Sequence, residues 1–341
     1  MNGEDAVSVV EVALPPAPAK SPAEGSGAAR PPHTPADGAR GQAAGEGRSQ
    51  AFKSGASPST LRLRSGQALL RSAQDAPSAI PTFSVPARHS PKLQALVERV
   101  NADEELWQLW RCANVNAVDR LGISDHGEVH IRIVANAALK LLRLLGEGGY
   151  TPGVVTQHHL TPEDAEVIVV LAAALHDLGI SIHRDNHEEF SLGLANLKAK
   201  ELLADLYSIR ERTIIVSEVL HAIIAHHGDA RCLTLEAGVL KVADALDMTE
   251  GRTRIPFEAG SSSIHAVSAA AIDDVKIMKG EKRPVRVEIR MSNSAGIFQV
   301  DELLRSKLQH STLTGLVEVV ARIEGEREKR LVSLYTMEAL S

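Results

Sequence analysis

The chain has 341 residues and a formal net charge of −6, enough for two ordinary domains or for one domain with appendages. That mildly acidic balance gives no global basic field for nucleic acid or a membrane surface, and no apolar run approaches the roughly 20 residues of a membrane helix. Two cysteines, Cys112 and Cys232, stand far apart and form no CxxC pair, which excludes a disulfide framework and a zinc ribbon and fits a cytoplasmic protein.

Residues 1–89 differ from everything after them. Twelve of the sixteen prolines lie at or before Pro91, mixed with Gly, Ala and Ser, and such a segment buries too little apolar surface to offset chain entropy. It is expected to be a disordered tail. Its start is acidic, without a basic n-region or a long apolar h-region, so no signal peptide is expected. Leu61–Asp75, LRLRSGQALLRSAQD, reads as a transient amphipathic helix within the tail rather than a partner-binding element. Some of the segment also reads as an over-extended gene start, which an intact Met1 peptide in mass spectrometry of the native protein would refute.

Order is expected to begin at Ser90-Pro91, a capping serine with proline in the first turn. Leu93, Leu96, Val97 and Val100, then Leu106, Trp107, Leu109 and Trp110, predict one or two helices up to Asn116. A helix capped by Asp125 carries an apolar stripe from Val129 to Leu145 and ends at Gly146 and Gly148-Gly149. The next opens at Thr161-Pro162-Glu163-Asp164 and runs through the unbroken apolar stretch Val167–Leu175 to His176-Asp177. Nine apolar residues in a row are too few to span a bilayer and predict a helix buried on all sides. Further helices are expected over 188–207, 210–227 and 234–249. The fold class is therefore mainly α: a helical bundle over 90–255, followed over 256–341 by a small α+β appendage. The appendage is read from a hairpin around Gly280-Glu281-Lys282-Arg283, a helix over 300–308, a strand over 316–323 and a last strand over 330–335. Arg283, Arg286 and Arg290 interleave with Glu281, Glu288 and Asp301, so they read as solvated strand faces.

Ten of the fourteen histidines fall between His126 and His227. A buried helix that ends in an imidazole beside a carboxylate must satisfy both groups. A cation does so, and the carbonyl end of a helix favours positive charge. His126 and His130, four apart on a helix, share a face; His183 and His187 are again four apart, just before the next helix, and His221 and the pair His226-His227 lie on and at the end of one helix. Asp244, within KVADALD, is a carboxylate in an apolar setting that needs a cation or donors. Imidazole with carboxylate suits zinc, iron, manganese or nickel rather than calcium, and ligands spread over several helices suit a bundle core.

An early His130, the adjacent pair His176-Asp177 within ALHDLGI and the late Asp244 within KVADALD together resemble the HD-domain metal-dependent phosphohydrolase superfamily over about Asp125 to Thr249. The resemblance implies an HD-type helical fold and a metal set of His130, His176, Asp177 and Asp244. Some members of that family hold a second ion through extra histidines. His187 and His226 are similar in position to these, with His183 and His227 as the competing candidates and Asp177 as the bridge. The implied cofactor is one or two divalent transition-metal ions (Mn, Fe, Ni, Zn or Co). His126 and His221 read as supporting or packed residues, and His158 and His159 as surface residues in a loop.

Such a site suits hydrolysis of a phosphoester or phosphoanhydride in a nucleotide or small phosphate ester. Asp177, Arg184 and Lys241 are then the catalytic candidates, the last two as cations that orient the substrate; the opposing reading has them exposed or ion-paired, as Arg184 with Asp185. Arg252 and Arg254 are weaker candidates. A nucleotide- or metal-sensing module without turnover and a di-iron oxygenase are the alternatives. No GxxxxGK[ST], helix-opening GxGxxG or GxSxG occurs, so nucleotide loops and a serine nucleophile are unsupported. The expected partner is a phosphate-bearing small molecule, with neither membrane nor nucleic acid, and an open strand edge in the appendage leaves room for pairing with a second copy.

Overall fold

Thr161 begins the helix on which the others are packed. In this computed structural model, which describes residues 10–11, 82–249, 268–323 and 334–337, Thr161 and Asp164 form a reciprocal capping box and Pro162 occupies the first turn of a helix over Pro162–Leu175. Numbered in chain order, the bundle helices are α1 Pro91–Ala102, α2 Glu104–Asn114, α3 Glu128–Glu147, α4 Gly153–His158, α5 Pro162–Leu175, α6 His187–Leu202, α7 Ile209–Ala225 and α8 Leu235–Ala245. Every residue from Val167 to Leu175 is fully buried, because α1, α3, α4, α6, α7 and α8 all pack against α5. Each Val, Leu or Ile there contributes roughly 1.5–3 kcal/mol by leaving water, which explains a run with no polar face.

Several boundaries differ from the sequence expectation. Residues 82–89 are not merely tail: Phe83 is buried against Trp110, with ring centroids 5.9 Å apart, and its amide donates to Asn101 Oδ1. An aromatic side chain with a core slot orders the chain ahead of the first helix. Asp125 does not cap α3 in the expected register. Gly127 occupies the cap position, and the Asp125 carboxylate accepts instead from the His130 amide at 3.1 Å. The segment before Thr161 is not wholly loop, since it forms α4, whose first amides, Gly153 and Val154, donate to the buried Glu236 carboxylate at 3.0 and 2.8 Å.

The C-terminal part, joined by Val10–Glu11 from the N-terminal segment, forms a five-stranded sheet with strands β1 Val10–Glu11, β2 Ile272–Lys279, β3 Val285–Met291, β4 Val317–Ile323 and β5 Leu334–Met337, in the order β1-β5-β4-β3-β2. The β2–β3 hairpin, the later helix and both later strands were legible; β1, inside the expected tail, was not. β3 and β4 run parallel, joined by a crossover with a π-helical turn, Gln299–Leu304, and helix α9, Arg305–Gln309. This crossover packs on α8, while β2 and β3 contact α3. Gly238 permits the approach: a Cβ there would lie 2.1 Å from Thr312 Oγ1. Sheet and bundle share one contiguous hydrophobic core. The remaining tail, the Leu61–Asp75 pattern, Arg252, Arg254 and the first residues of the expected last strand lie outside the described residues. Among the described residues, no helix is long and apolar enough to cross a membrane.

Candidate metal centre

The buried end of α5 delivers His176 and Asp177 into the bundle, and a single turn of 3₁₀ helix, Leu178–Ser181, follows at once. Gly179 lets α6 come close to that turn. A Cβ at Gly179 would fall 2.0 Å from the His187 carbonyl oxygen, and the Gly179 amide donates to Ser191 Oγ at 2.8 Å. The first residue of α6, His187, is thereby held beside Asp177.

Asp177 divides the centre in two. Its Oδ2 lies 3.3 Å from His130 Nε2 and 3.2 Å from His176 Nε2. Its Oδ1 lies 3.2 Å from His187 Nε2 and 3.9 Å from His226 Nε2. Two groups able to hold a metal ion result, His130–His176–Asp177 and Asp177–His187–His226, with all five residues buried. Asp244 Oδ1 approaches the first group, 3.5 Å from His130 Nε2 and 3.8 Å from His176 Nε2.

The rings are oriented from behind. His176 Nδ1–H donates to the Ala173 carbonyl at 2.9 Å and His226 Nδ1–H to the Ile223 carbonyl at 2.6 Å. His130 Nδ1 lies 2.6 Å from the buried Asp247 carboxylate, and His187 Nδ1 faces the Arg184 carbonyl at 3.0 Å and Glu188 at 3.2 Å. Nδ1 of His130, His176 and His226 is taken up by a protein acceptor, which leaves Nε2 as the nitrogen facing the centre, the orientation in which imidazoles bind metals; at His187, Nδ1 meets both the carbonyl and the guanidinium of Arg184.

The electrostatics favour a cation. Burial alone would push the His176 pKa down, but Asp177 and Asp244 override it and raise it to about 10. Burial would raise both carboxyls; instead His176, with His130 and His187 also bonding, holds Asp177 well below the usual range, and Lys307 with His176 does the same for Asp244. His226 goes the other way, to about 3, through burial and the positive charge of His176 and Lys307, which keeps it the neutral imidazole a metal needs. Two imidazole nitrogens 3.3 Å apart and two carboxylates thus converge where a positive charge is stabilised, and the donor set fits a borderline transition metal.

The structure brings His130, His176, Asp177, His187, His226 and Asp244 together. His183 and His227 stay outside, the first accepting from the Asp185 amide and the second bonded to Glu188 at 2.8 Å. His221 accepts from the Leu233 amide, and His126 lies beside His130 with ring centroids 5.3 Å apart. Arg184 lines the adjoining cavity, which has a volume of about 300 Å³. Lys241, expected to orient the substrate, does not line it. Its side chain is fully buried, and its ammonium donates to the carbonyls of His227 and Ala230, so it closes the turn after α7. Three residues escaped the sequence reading: Asp247, Glu188 and Lys307. Asp247 had a signal, since it sits three residues after Asp244 within the helix expected over 234–249, although α8 ends at Ala245.

A family model for the HD domain matches residues 128–249. The uncharacterized protein MJ1020 of Methanocaldococcus jannaschii is 43% identical over 217 residues, which cover 64% of this chain and 84% of that protein. The chain belongs to the HD-domain family. HD-domain proteins are commonly metal-dependent hydrolases, and the two groups around Asp177 are the part of this HD domain able to hold metal. No solved structure matches the chain.

Proposed function

We propose that this HD-domain protein is a metal-dependent phosphohydrolase that cleaves a phosphoester or phosphoanhydride in a nucleotide or small phosphate ester. The observation that carries the reading is the division of Asp177, with each carboxylate oxygen facing a different pair of imidazole nitrogens. His130, His176, Asp177 and Asp244 would hold one divalent ion, and Asp177, His187 and His226 a second; Mn, Fe, Ni, Zn and Co all suit the donors. Divalent cations held there supply Lewis acidity, which acidifies water and offsets charge on phosphoryl oxygens.

The chain's own groups do the rest. Asp247, Ala173 and Ile223 fix three of the rings through Nδ1, so the donors need little reorganisation when charge develops. Arg184 lines the cavity with its guanidinium 2.7 Å from His187 Nδ1, which puts a positive side chain beside the anionic group to be cleaved. Binding there restricts the orientation of the ester.

The test is a panel of phosphomonoesters, phosphodiesters and nucleotides offered to metal-loaded wild type and to Asp177→Ala. Hydrolysis that vanishes in the variant, with far-ultraviolet circular dichroism unchanged, supports the reading. No turnover of any panel member by metal-loaded wild type refutes it.

A further inference from the structure

Lys307 lies on α9, within the crossover between β3 and β4, far in sequence from the bundle that carries the histidines. Its ammonium nevertheless reaches the centre, donating to Asp244 Oδ2 at 2.9 Å and to the His226 carbonyl at 2.8 Å. We propose that Lys307, supplied by the α+β part of the chain, is the cation that binds and orients the phosphoryl group at the centre built by the bundle. The substrate class rests on the hydrolase reading above; the anion site rests on the geometry alone.

An ammonium carries three N–H donors. Two of those of Lys307 are engaged, and the side chain, 21% exposed, lines the same cavity as Asp177, Arg184 and His187. The third donor is therefore available to a ligand in the cavity. Lys241 shows the contrast: its ammonium is sealed among carbonyls and its residue is fully buried, as a purely structural lysine would be. The charge of the lining also favours such a residue. Asp177, Glu188, Asp244 and Asp247 all line the cavity, and that negative field repels a phosphate unless cations offset it. Lys307 stands on Asp244, where the offset is needed. Leu303, on the same crossover and 38% exposed, lines the cavity too and gives an apolar surface for the organic part of an ester. The α+β part thus forms a wall of the cavity and supplies one of its cations.

The experiment uses the full, metal-loaded chain with orthophosphate as the probe, following binding by titration calorimetry and metal content by elemental analysis. Lys307→Met is expected to weaken orthophosphate binding about 10- to 100-fold, as loss of a charge-assisted hydrogen bond does, at unchanged metal content. Lys307→Arg is expected to stay within a few-fold of wild type. Equal orthophosphate affinity in wild type and Lys307→Met overturns the proposal, as does the absence of binding to wild type. Should Lys307→Met lose metal, Lys307→Gln, which keeps an N–H for Asp244 without the charge, decides: wild-type orthophosphate affinity in that variant overturns the proposal. Turnover of the ester panel with equal KM in wild type and Lys307→Met removes this inference alone. Lys307-dependent orthophosphate binding without turnover removes the hydrolase reading and leaves the anion site standing.

Discussion

His130 Nδ1 and Asp247 Oδ2 lie 2.6 Å apart, both side chains buried. The carboxylate fixes the tautomer and the ring plane of the residue whose Nε2 faces His176 and Asp177. Removing such an outer partner lowers metal affinity about 10- to 100-fold in comparable sites. Asp247→Ala is therefore expected to keep the helical circular dichroism and to bind metal more weakly by that factor in competition with a chelating dye.

Gly179→Ala is expected to damage the same centre by a different route. The added methyl meets the His187 carbonyl oxygen and the Ser191 amide, at 2.0 and 2.6 Å, both backbone atoms that cannot swing aside. α6 must move away from the turn after His176-Asp177, and His187 moves with it. Thermal unfolding is expected to shift down by several degrees, and metal content to fall in the same variant.

Lys241→Met is expected to act on stability alone. The loss leaves the Ala230 carbonyl, in the turn after α7, without its donor, while the His227 carbonyl keeps the Ala230 amide, at about 1–3 kcal/mol. Denaturant unfolding should show that loss while the KM of any substrate found stays at its wild-type value.

Asp164 links three elements at the opposite end of α5. It is buried, and it accepts from Lys92 Nζ at 2.7 Å, Tyr207 Oη at 2.9 Å and the Thr161 amide at 2.8 Å. Burial would raise its pKa, but the bonds from Lys92, Thr161 and Tyr207 prevail and lower it. A carboxyl with a lowered folded pKa contributes stability that is complete above its unfolded value, about 4, and fades as pH falls through the folded value. Asp164→Ala is expected to cost about 3 kcal/mol at pH 7, and the gap between variant and wild type should narrow as denaturant curves are taken below about pH 4.

The sequence carried the centre further than it carried the cavity. Val167–Leu175 announced a fully buried helix because no polar face interrupts it, and His176-Asp177 and Asp244 were conspicuous as charge in apolar text. The family resemblance favours His187 over His183 and His226 over His227, but the physical reason lies in the fold. Each pair offers two plausible rings, and the close approach that Gly179 permits, together with the end of α7, decides which enters. Lys241 misled because its neighbours in sequence are ligands, whereas its ammonium turns to the carbonyls after α7. Lys307 was invisible for the converse reason: 63 residues separate it from Asp244, and only the packing of the crossover on α8 brings them together. Phe83 and β1 were hidden by the proline-rich composition around them.

A metal centre divided by Asp177 is tested by elemental analysis of wild type and Asp177→Ala after reconstitution with transition metal and removal of excess. Nearly two equivalents are expected in wild type and loss of both in the variant, since each oxygen of Asp177 belongs to a different group of donors. One equivalent in wild type would confine the centre to His130, His176, Asp177 and Asp244. No metal in either protein would rule out a metal centre at Asp177.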